Sequence, residues 1–326
     1  MAFLETTANP FILSLGDKEN ATRRLNLAQA FNPMGSLAGM AVASMVVLPN
    51  LLSDKRDAAG NIIFPMLTDA EKADIRLHDL VIIRDPYVAL GIVVIIMMII
   101  ISLLNTDHTD LTDNKVKKNP SNLCNPCSIK SSVERLWKNR VYREGVVAQV
   151  FYVAAQIMVW TFIIHYADNL GIDKATAQNY NILAMCLFLC GRFISTWLMK
   201  YIDGRRLLTI FGILAALCSL GAILIVGKAG LYCLICISLF MSLMFPTIYG
   251  TALEKVSLED ASLGAAFLVM AIVGGALMPP LQGMIIDCGT ILGHPAVNVS
   301  YILPLICFIV VAIYGSRSKK TRITRI

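Results

Sequence analysis

Charged residues are scarce in this chain. Asp, Glu, Lys and Arg make up 15% of its 326 residues, whereas soluble domains carry about 25%. The alternating pattern of membrane β-barrel strands is also missing, because runs such as Val93–Ile101 are continuously apolar. These two absences exclude a soluble domain and a β-barrel.

The chain also lacks the clusters that serve metals, catalysis or nucleic acids. Cys124 and Cys127 form an isolated CxxC, without the two further ligands that a zinc site needs. No acidic, His or Cys cluster of catalytic spacing falls within a hydrophobic run, and no nucleic-acid motif accompanies the net charge of +6. We therefore expect no metal, no cofactor, no enzymatic activity and no nucleic-acid partner.

What the chain does have is hydrophobic length. Hydrophobic residues make up 56% of the sequence and fall into runs of about 20, enough for a helix to cross a bilayer. The pattern predicts an all-α membrane protein with eight complete spans and a partial one. The complete spans are Leu27–Leu52, Pro86–Leu104, Gly145–Tyr166, Gln178–Met199, Leu207–Val226, Leu231–Leu253, Leu263–Ile286 and Tyr301–Gly315.

The first apolar segment, Met1–Leu15, is too short to cross the membrane and has no features of a signal peptide. This pattern predicts that the sequence begins inside a helix and that three helices precede it. In that case the 326-residue chain by itself is not expected to transport.

The distribution of basic residues predicts the orientation. Alternate connections carry 20 Lys and Arg on one side and seven on the other. The positive-inside rule places the richer side, with the C-terminus, in the cytoplasm. We expect a multi-pass, monomeric protein of the bacterial inner membrane, in contact with its lipid bilayer.

Two connections are predicted to contain helices. Thr68 and Glu71 have the spacing of a capping box that opens an outer surface helix towards Ile83. Ser131 and Glu134 repeat this spacing in the long inner loop, where an amphipathic helix is predicted. That helix either lies on the membrane surface or is solvated and leads into the next span.

Polar residues share one face in three of the hydrophobic segments, where lipid contact would be costly. These are Glu5 and Asn9, then Gln29, Asn32 and Ser36, then Gln149, Tyr152, Gln156 and Trp160. Amides beside an aromatic ring suit a hydroxylated ring with one C–H face, such as a sugar. The alternative is that the amides only join helices through hydrogen bonds.

Glu5 is the one acidic residue deep in a hydrophobic segment. A charged carboxylate there costs about 3 kcal/mol, so it is kept neutral, paired or used. We expect it to bind and release a proton, with structural pairing as the alternative.

Other residues favour gating or bending. Arg192 is expected near the inner end of its span, in a gating or structural role. Gly274 with Gly275 and Pro279 with Pro280 should permit close packing and a bend, and Pro33 and Pro246 should weaken two other spans.

Several strings of residues are similar to a known family. ETTANPFILSLG at Glu5–Gly16 and RRLNLAQAFNPMG at Arg23–Gly35 resemble the fucose permease group of the major facilitator superfamily, the fucose–galactose–glucose:proton symporters. The likeness continues through Ala148–Trp160, Gly191–Leu198, Phe240–Gly250 and Val269–Gly283.

The resemblance implies roles for individual residues. Glu5 corresponds to the protonation site, and Gln29, Asn32, Gln156 and Trp160 to residues of the sugar cavity. Asn9 shares the face of Glu5 and is added to this set. Phe245 stands where the fucose permeases carry a cavity tyrosine, so the particular sugar is left open.

We therefore expect a proton-coupled symporter of L-fucose, galactose or glucose that works by alternating access. The alternatives are an N-acetylated hexosamine as the substrate, a channel or an inactive fragment. We expect residues 1–104 to be the remnant of an N-terminal six-helix bundle, comprising part of helix 4 with helices 5 and 6. Residues 105–143 would form a cytoplasmic loop, and residues 144–326 a C-terminal six-helix bundle with a basic tail.

Overall fold

The structure is a computed structural model. It describes residues 2–14, 20–42, 47, 50–53, 64, 67–106, 126–172, 174–291 and 293–318, with the backbone alone at 2–7, 40, 101–106, 126–130, 174–175 and 258.

The described residues are almost entirely helical. We number the helices α1 Ala2–Ser14, α2 Ala21–Ala28, α3 Phe31–Val42, α4 Asp69–Thr106, α5 Pro126–Lys138, α6 Arg140–Asn169, α7 Lys174–Leu198, α8 Gly204–Leu224, α9 Lys228–Met241, α10 Met244–Leu253, α11 Leu258–Met270, α12 Gly274–Asp287, α13 Ala296–Ser300 and α14 Ile302–Arg317. Strands β1 Thr290–Ile291 and β2 His294–Pro295 form a short antiparallel hairpin. Seven helical stretches of the described residues are long and apolar enough to cross a membrane, and the predicted all-α membrane class is confirmed.

The chain divides into two compact units. One unit comprises Met1–Met34 and Pro126–Ile326, and the other comprises Gly35–Asn125. The first unit therefore contains α1 and α2 together with α5 to α14. The predicted boundaries at 104/105 and 143/144 stay a prediction.

The second unit is dominated by α4. The predicted helix start at Thr68 and Glu71 is confirmed, with one of the two bonds of a capping box: the Thr68 backbone N–H donates to Glu71 Oε2 at 3.0 Å, and the Thr68 hydroxyl donates to the same oxygen at 2.6 Å. The predicted surface helix and the span from Pro86 are one helix of 38 residues. At 1.5 Å per residue it is roughly 57 Å long, so it can continue beyond a hydrocarbon core of about 30 Å. Pro86 removes one backbone donor without ending the helix.

In the first unit, α6 is the central helix, and three of its tyrosines are bonded to backbone carbonyls of other helices. The hydroxyls of Tyr142, Tyr152 and Tyr166 donate to the carbonyl oxygens of Gly264, Met241 and Ala222 at 2.9, 3.1 and 3.2 Å. All three tyrosines are at most 1% exposed. These bonds fix α6 against α11, α9 and α8, because a buried hydroxyl is costly to leave unpaired.

Two of the predicted spans are broken where a proline removes a backbone hydrogen bond. Pro33 and Pro246 each lack the N–H that would bond the carbonyl four residues earlier. The chain turns at Gln29 and Ala30 between α2 and α3, and at Ser242 between α9 and α10. The predicted spans Leu27–Leu52 and Leu231–Leu253 are therefore interrupted where the two prolines were expected to weaken them.

The predicted span Leu263–Ile286 is also interrupted. A 3-10 turn at Ala271–Val273 separates α11 from α12, so the break precedes Pro279 and Pro280 rather than coinciding with them. Gly274 and Gly275 follow the turn and pack against α6. A Cβ at Gly275 would lie 2.8 Å from Ile157 Cγ1.

Gly274→Ala is expected to lower the thermal stability strongly. A Cβ at Gly274 would overlap the backbone carbonyl oxygen of Val150, which cannot rotate away. Such overpacking costs typically about 1–3 kcal/mol. Gly283→Ala in the same helix is the matched control, because its Cβ would be 3.8 Å from Phe162 Cζ. Equal melting temperatures for the two variants in detergent would contradict the close packing.

The amphipathic helix predicted before Gly145 is observed as α5, but its start is not where the sequence placed it. It begins at Pro126, a residue type that suits the first helical position, so the predicted capping box at Ser131 and Glu134 lies inside the helix and is wrong. Arg135 pairs with Asp260 through two hydrogen bonds of 2.9 and 2.7 Å. This contact raises the pKa of the Arg135 guanidinium and fixes α5 to the start of α11.

Candidate substrate and gating site

The site begins at the turn between α2 and α3. Gln29 follows the last residue of α2, and its backbone N–H still bonds the Leu25 carbonyl at 2.9 Å. Its side-chain Nε2 donates to Asn9 Oδ1 of α1 at 3.4 Å. Asn9 is 5% exposed. Two amides predicted from separate segments are therefore neighbours.

The other end of the Gln29 amide contacts Arg192. The Arg192 guanidinium donates from Nη1 to Gln29 Oε1 at 3.3 Å and lies 5.0 Å from the centroid of the Phe188 ring. Arg192 is 4% exposed, so it does not extend to the membrane surface. The cation–π contact and the amide bond each compensate part of the cost of burying the charge.

Phe188 connects Arg192 to the predicted aromatic residue of the cavity. The rings of Phe188 and Trp160 meet edge to face, with centroids 5.1 Å apart. The Trp160 indole N–H donates to Ser238 Oγ of α9 at 3.3 Å. A continuous series of contacts therefore runs from Trp160 through Phe188, Arg192 and Gln29 to Asn9. We call these five residues the polar–aromatic chain.

Asn26 was missed by the sequence analysis. It is fully buried, and its Nδ2 lies 2.8 Å from Thr196 Oγ1, 3.1 Å from Ser195 Oγ and 3.4 Å from the Arg192 carbonyl oxygen. It precedes Gln29 by three residues and so continues the polar face of Gln29 and Asn32. The face was cut short because the predicted span started at Leu27.

The remaining residues of the α6 stripe differ in their environments. Gln149 is fully buried, and neither polar atom of its amide has a hydrogen-bond partner among the described residues. Tyr152 is bonded to α9, as described above. Gln156 and Trp160 are half-buried. The sequence pattern therefore predicted one uniform stripe. In the structure the rings of Tyr152 and Trp160 are held by hydrogen bonds to α9, whereas Gln149 is fully buried and Gln156 is half-buried.

Phe245 lies in the first turn of α10, just after the break caused by Pro246. Its ring stacks on Tyr249, with centroids 6.2 Å apart and an interplanar angle of 15°. The centroid of the Tyr152 ring lies 6.3 Å from that of Phe245, with the two rings tilted by 60°. Phe245 thus belongs to an aromatic cluster of α6 and α10, and nothing in the described contacts joins it to Gln29.

Two predicted residues lie close to the polar–aromatic chain in sequence, and the Asn32 backbone N–H bonds the Gln29 carbonyl at 3.2 Å. Asn32 is exposed on α3. Glu5 lies on α1, one helical turn before Asn9, but its side chain is outside the described part of the structure. Cys124 is outside the described residues, as is the side chain of Cys127. Among the described residues no group of three or more His, Cys, Asp or Glu is placed to hold a metal.

Comparison with known proteins assigns the class. Residues 1–279 match the model of the Major Facilitator Superfamily. The L-fucose-proton symporter of Haemophilus influenzae is 58% identical over 323 residues, which cover 98% of this chain and 72% of that protein. The L-fucose-proton symporter of Escherichia coli is 30% identical over 322 residues, which cover 98% of this chain and 69% of that protein. The chain therefore belongs to the major facilitator superfamily and, within it, to the fucose permease family.

Solved structures agree with this assignment. The crystal structure of the E. coli fucose:proton symporter matches with a TM-score of 0.80 at 26% identity, covering 98% of this chain and 74% of that one. The structure of a major facilitator transporter, FucP, in the outward conformation matches with a TM-score of 0.82 at 27% identity and covers 98% and 73%. The predicted family and fold class are confirmed, and the relatives are transporters rather than enzymes.

Proposed function

We propose that this protein is a symporter that carries L-fucose together with a proton across the bacterial inner membrane. The observation that carries the proposal is the polar–aromatic chain, which brings amides, a buried cation and an indole ring together from α1, α2, α6 and α7. Family membership supplies the reaction class. Among hexoses we favour L-fucose, because the relative at 58% identity is named for it, whereas a glucose/galactose transporter of Brucella abortus is 26% identical.

The sugar site that we propose consists of Asn9, Gln29, Asn32, Gln156, Trp160 and Phe245. Amides offer both donors and acceptors to sugar hydroxyls, and an indole ring offers an apolar plate to the C–H face. The Trp160 ring is held by Ser238 and Phe188, so it is oriented before the sugar arrives. Such preorganisation reduces the entropy lost on binding.

Gln29 links this site to gating. Both ends of its amide are engaged, one by Asn9 and the other by Arg192. A sugar that bonds Gln29 must therefore compete with these partners. We propose that this exchange releases Arg192 and so couples sugar binding to the movement of α2 relative to α7.

The contacts of α1 and α2 with the later helices support an alternating-access mechanism. α1 packs against α11, and α2 packs against α7 and α10. At Gly250 of α10, a Cβ would lie 2.8 Å from Thr22 Oγ1 of α2, so the helices are closely apposed. We propose that these contacts, together with Asn26, close the basic end of the first unit, which is the end where Arg206, Lys255 and Arg317 lie. In alternating access they must separate when the cavity opens to that end.

The orientation and assembly belong to the same proposal. The excess of Lys and Arg supports a cytoplasmic position for the basic end and the C-terminus. With the basic end closed, the cavity would open towards the outside of the cell. This agrees with the match to a structure in the outward conformation. We propose a monomer as the functional unit, because all five residues of the polar–aromatic chain belong to one polypeptide.

Trp160→Ala tests the sugar site. Loss of the indole plate is expected to weaken L-fucose binding at least tenfold, since roughly 1.4 kcal/mol corresponds to a factor of ten. Binding is measured by isothermal titration calorimetry on the full-length purified protein, with galactose and glucose as competitors. Trp197→Ala is the control, because Trp197 is 56% exposed on α7 and contacts Tyr201 instead. Unchanged affinity in the Trp160 variant would remove this residue from the site, and tighter binding of galactose or glucose would reassign the sugar.

A further inference from the structure

A cavity of about 370 Å³ lies between α5, α6 and α14, away from the polar–aromatic chain. Its volume falls within the range of about 300–1,000 Å³ that is usual for ligand pockets. α6 begins at Arg140 and α14 ends at Arg317, so the cavity is at the ends of two membrane-spanning helices. This is the depth at which lipid headgroups meet the protein.

The wall of the cavity is apolar towards the membrane. Val147 of α6 and Ile313 of α14 line it and are 46% and 48% exposed, so their side chains are available to an acyl chain. Trp137 of α5 also lines it and is 50% exposed. Tryptophan is enriched where the membrane meets water, because its ring is amphipathic.

The other end of the cavity is basic. Arg143 and Arg317 line it, and Arg143 donates from Nη1 to the Trp137 carbonyl oxygen at 3.4 Å. Glu144 is the one carboxylate of the lining, and it is bonded at 2.8 Å by Arg140 and lies 3.8 Å from Arg317. Two guanidinium groups, those of Arg140 and Arg317, therefore share the Glu144 carboxylate. In the described part of the chain, Arg143 pairs with no carboxylate.

A buried hydroxyl completes the lining. Tyr314 is 3% exposed and lines the cavity, and its hydroxyl has no hydrogen-bond partner among the described residues. The lining thus supplies cations at the rim and an apolar wall beside them.

We propose that this cavity binds one anionic phospholipid of the cytoplasmic leaflet. Its phosphate is held by Arg143 and Arg317, and one acyl chain lies along Val147 and Ile313. Guanidinium groups form strong, charge-assisted bonds with phosphate oxygens, and basic pockets between spans on the cytoplasmic side recognise anionic headgroups. The choice of leaflet rests on the proposed orientation, whereas the binding chemistry does not depend on transport.

The lipid also has a structural consequence. α5 contacts α6 and α11, and α14 contacts α6 and α8. A phospholipid between α5, α6 and α14 would connect the loop helix to the last span. We therefore expect the bound lipid to stabilise the folded protein.

The test is a lipid titration of the full-length protein in detergent, followed by thermal unfolding and native mass spectrometry. Phosphatidylglycerol is expected to bind once per chain and raise the melting temperature, whereas phosphatidylcholine with the same acyl chains is expected to bind at least roughly tenfold more weakly. Equal binding of the two lipids would overturn the proposal. Glycerol phosphate without acyl chains should not compete, and competition at equal concentration would assign the site to a soluble anion instead.

Variants localise the binding. R143Q/R317Q is expected to weaken phosphatidylglycerol binding roughly tenfold or more, and Glu144→Gln, which removes the competing carboxylate, is expected to strengthen it. The matched control is K200Q/R206Q, which removes two exposed basic residues outside the cavity lining. If the control lost as much binding as R143Q/R317Q, the lipid would be held by general charge and the site would be wrong. The melting temperature without lipid shows whether each variant is folded.

Discussion

Glu5→Gln is expected to abolish the accumulation of L-fucose against a gradient while preserving sugar binding and exchange. Glutamine mimics the protonated carboxyl in shape and hydrogen bonding but cannot release a proton. Glu5 precedes Asn9 by one turn of α1, and Asn9 is bonded to Gln29 of the proposed sugar site. Glu5 is thus one helical turn along α1 from Asn9, a residue of the proposed sugar site.

The measurement uses the full-length protein in proteoliposomes. Counterflow reports sugar exchange, and uptake under an inward proton gradient reports coupling. Glu259→Gln is the control, because Glu259 is an exposed carboxylate at the start of α11. Concentrative uptake by the Glu5 variant at the wild-type level would return Glu5 to a structural pairing role. Loss of counterflow as well would mean that Glu5 also serves sugar binding.

Asn26→Leu is expected to open the basic end of the first unit. Leucine has a similar size but cannot donate to Thr196, Ser195 or the Arg192 carbonyl. The two hydroxyls remain satisfied, because Ser195 and Thr196 both donate to the Arg192 carbonyl oxygen, at 3.0 and 2.7 Å. The variant therefore removes the bonds between α2 and α7 without leaving these hydroxyls unpaired. A loss of 1–2 kcal/mol would change the population of the closed arrangement by roughly 5–30-fold.

Hydrogen exchange measured by mass spectrometry is the readout. Faster exchange is expected in α2 and α10, which face each other at Thr22 and Gly250. Asn179→Leu is the control, since Asn179 is exposed on the same helix as Arg192. Protection equal to that of the wild type in α2 and α10 would show that Asn26 does not hold the two helices together. A slower exchange of these helices would reverse its assigned role.

The helix start at Thr68 and Glu71 and the breaks before Pro33 and Pro246 could be predicted because they depend on residues close in sequence. A capping side chain reaches three residues along the chain, and a proline removes the bond to the carbonyl four residues earlier. The start of α5 was missed because the capping spacing of Ser131 and Glu134 occurs inside the helix, after its start at Pro126. The proline at the first helical position prevailed over Ser131 and Glu134.

The polar faces were predictable for the same reason, since helical periodicity places residues three or four apart on one side. Helical periodicity also places Asn26 on this polar face. Asn26 was missed only because the predicted span started one residue later, at Leu27. Periodicity could not show that Arg192 would be buried. A charge near the end of a span can extend to the surface or turn inward, and only the positions of Gln29 and Phe188 select the second.

The sequence by itself determined the membrane class, the family and most of the helices, because hydrophobic length, periodicity and local motifs are properties of short stretches. Only the tertiary structure decided which polar groups meet. Gln29 and Arg192 are 163 residues apart in sequence, and Asn26 and Thr196 are 170 apart. The choice of partner depends on which helices pack and at what rotation. The packing of α5, α6 and α14 also creates the cavity that Trp137 lines. No single segment of the sequence contains these three helices, so local patterns could not predict the cavity.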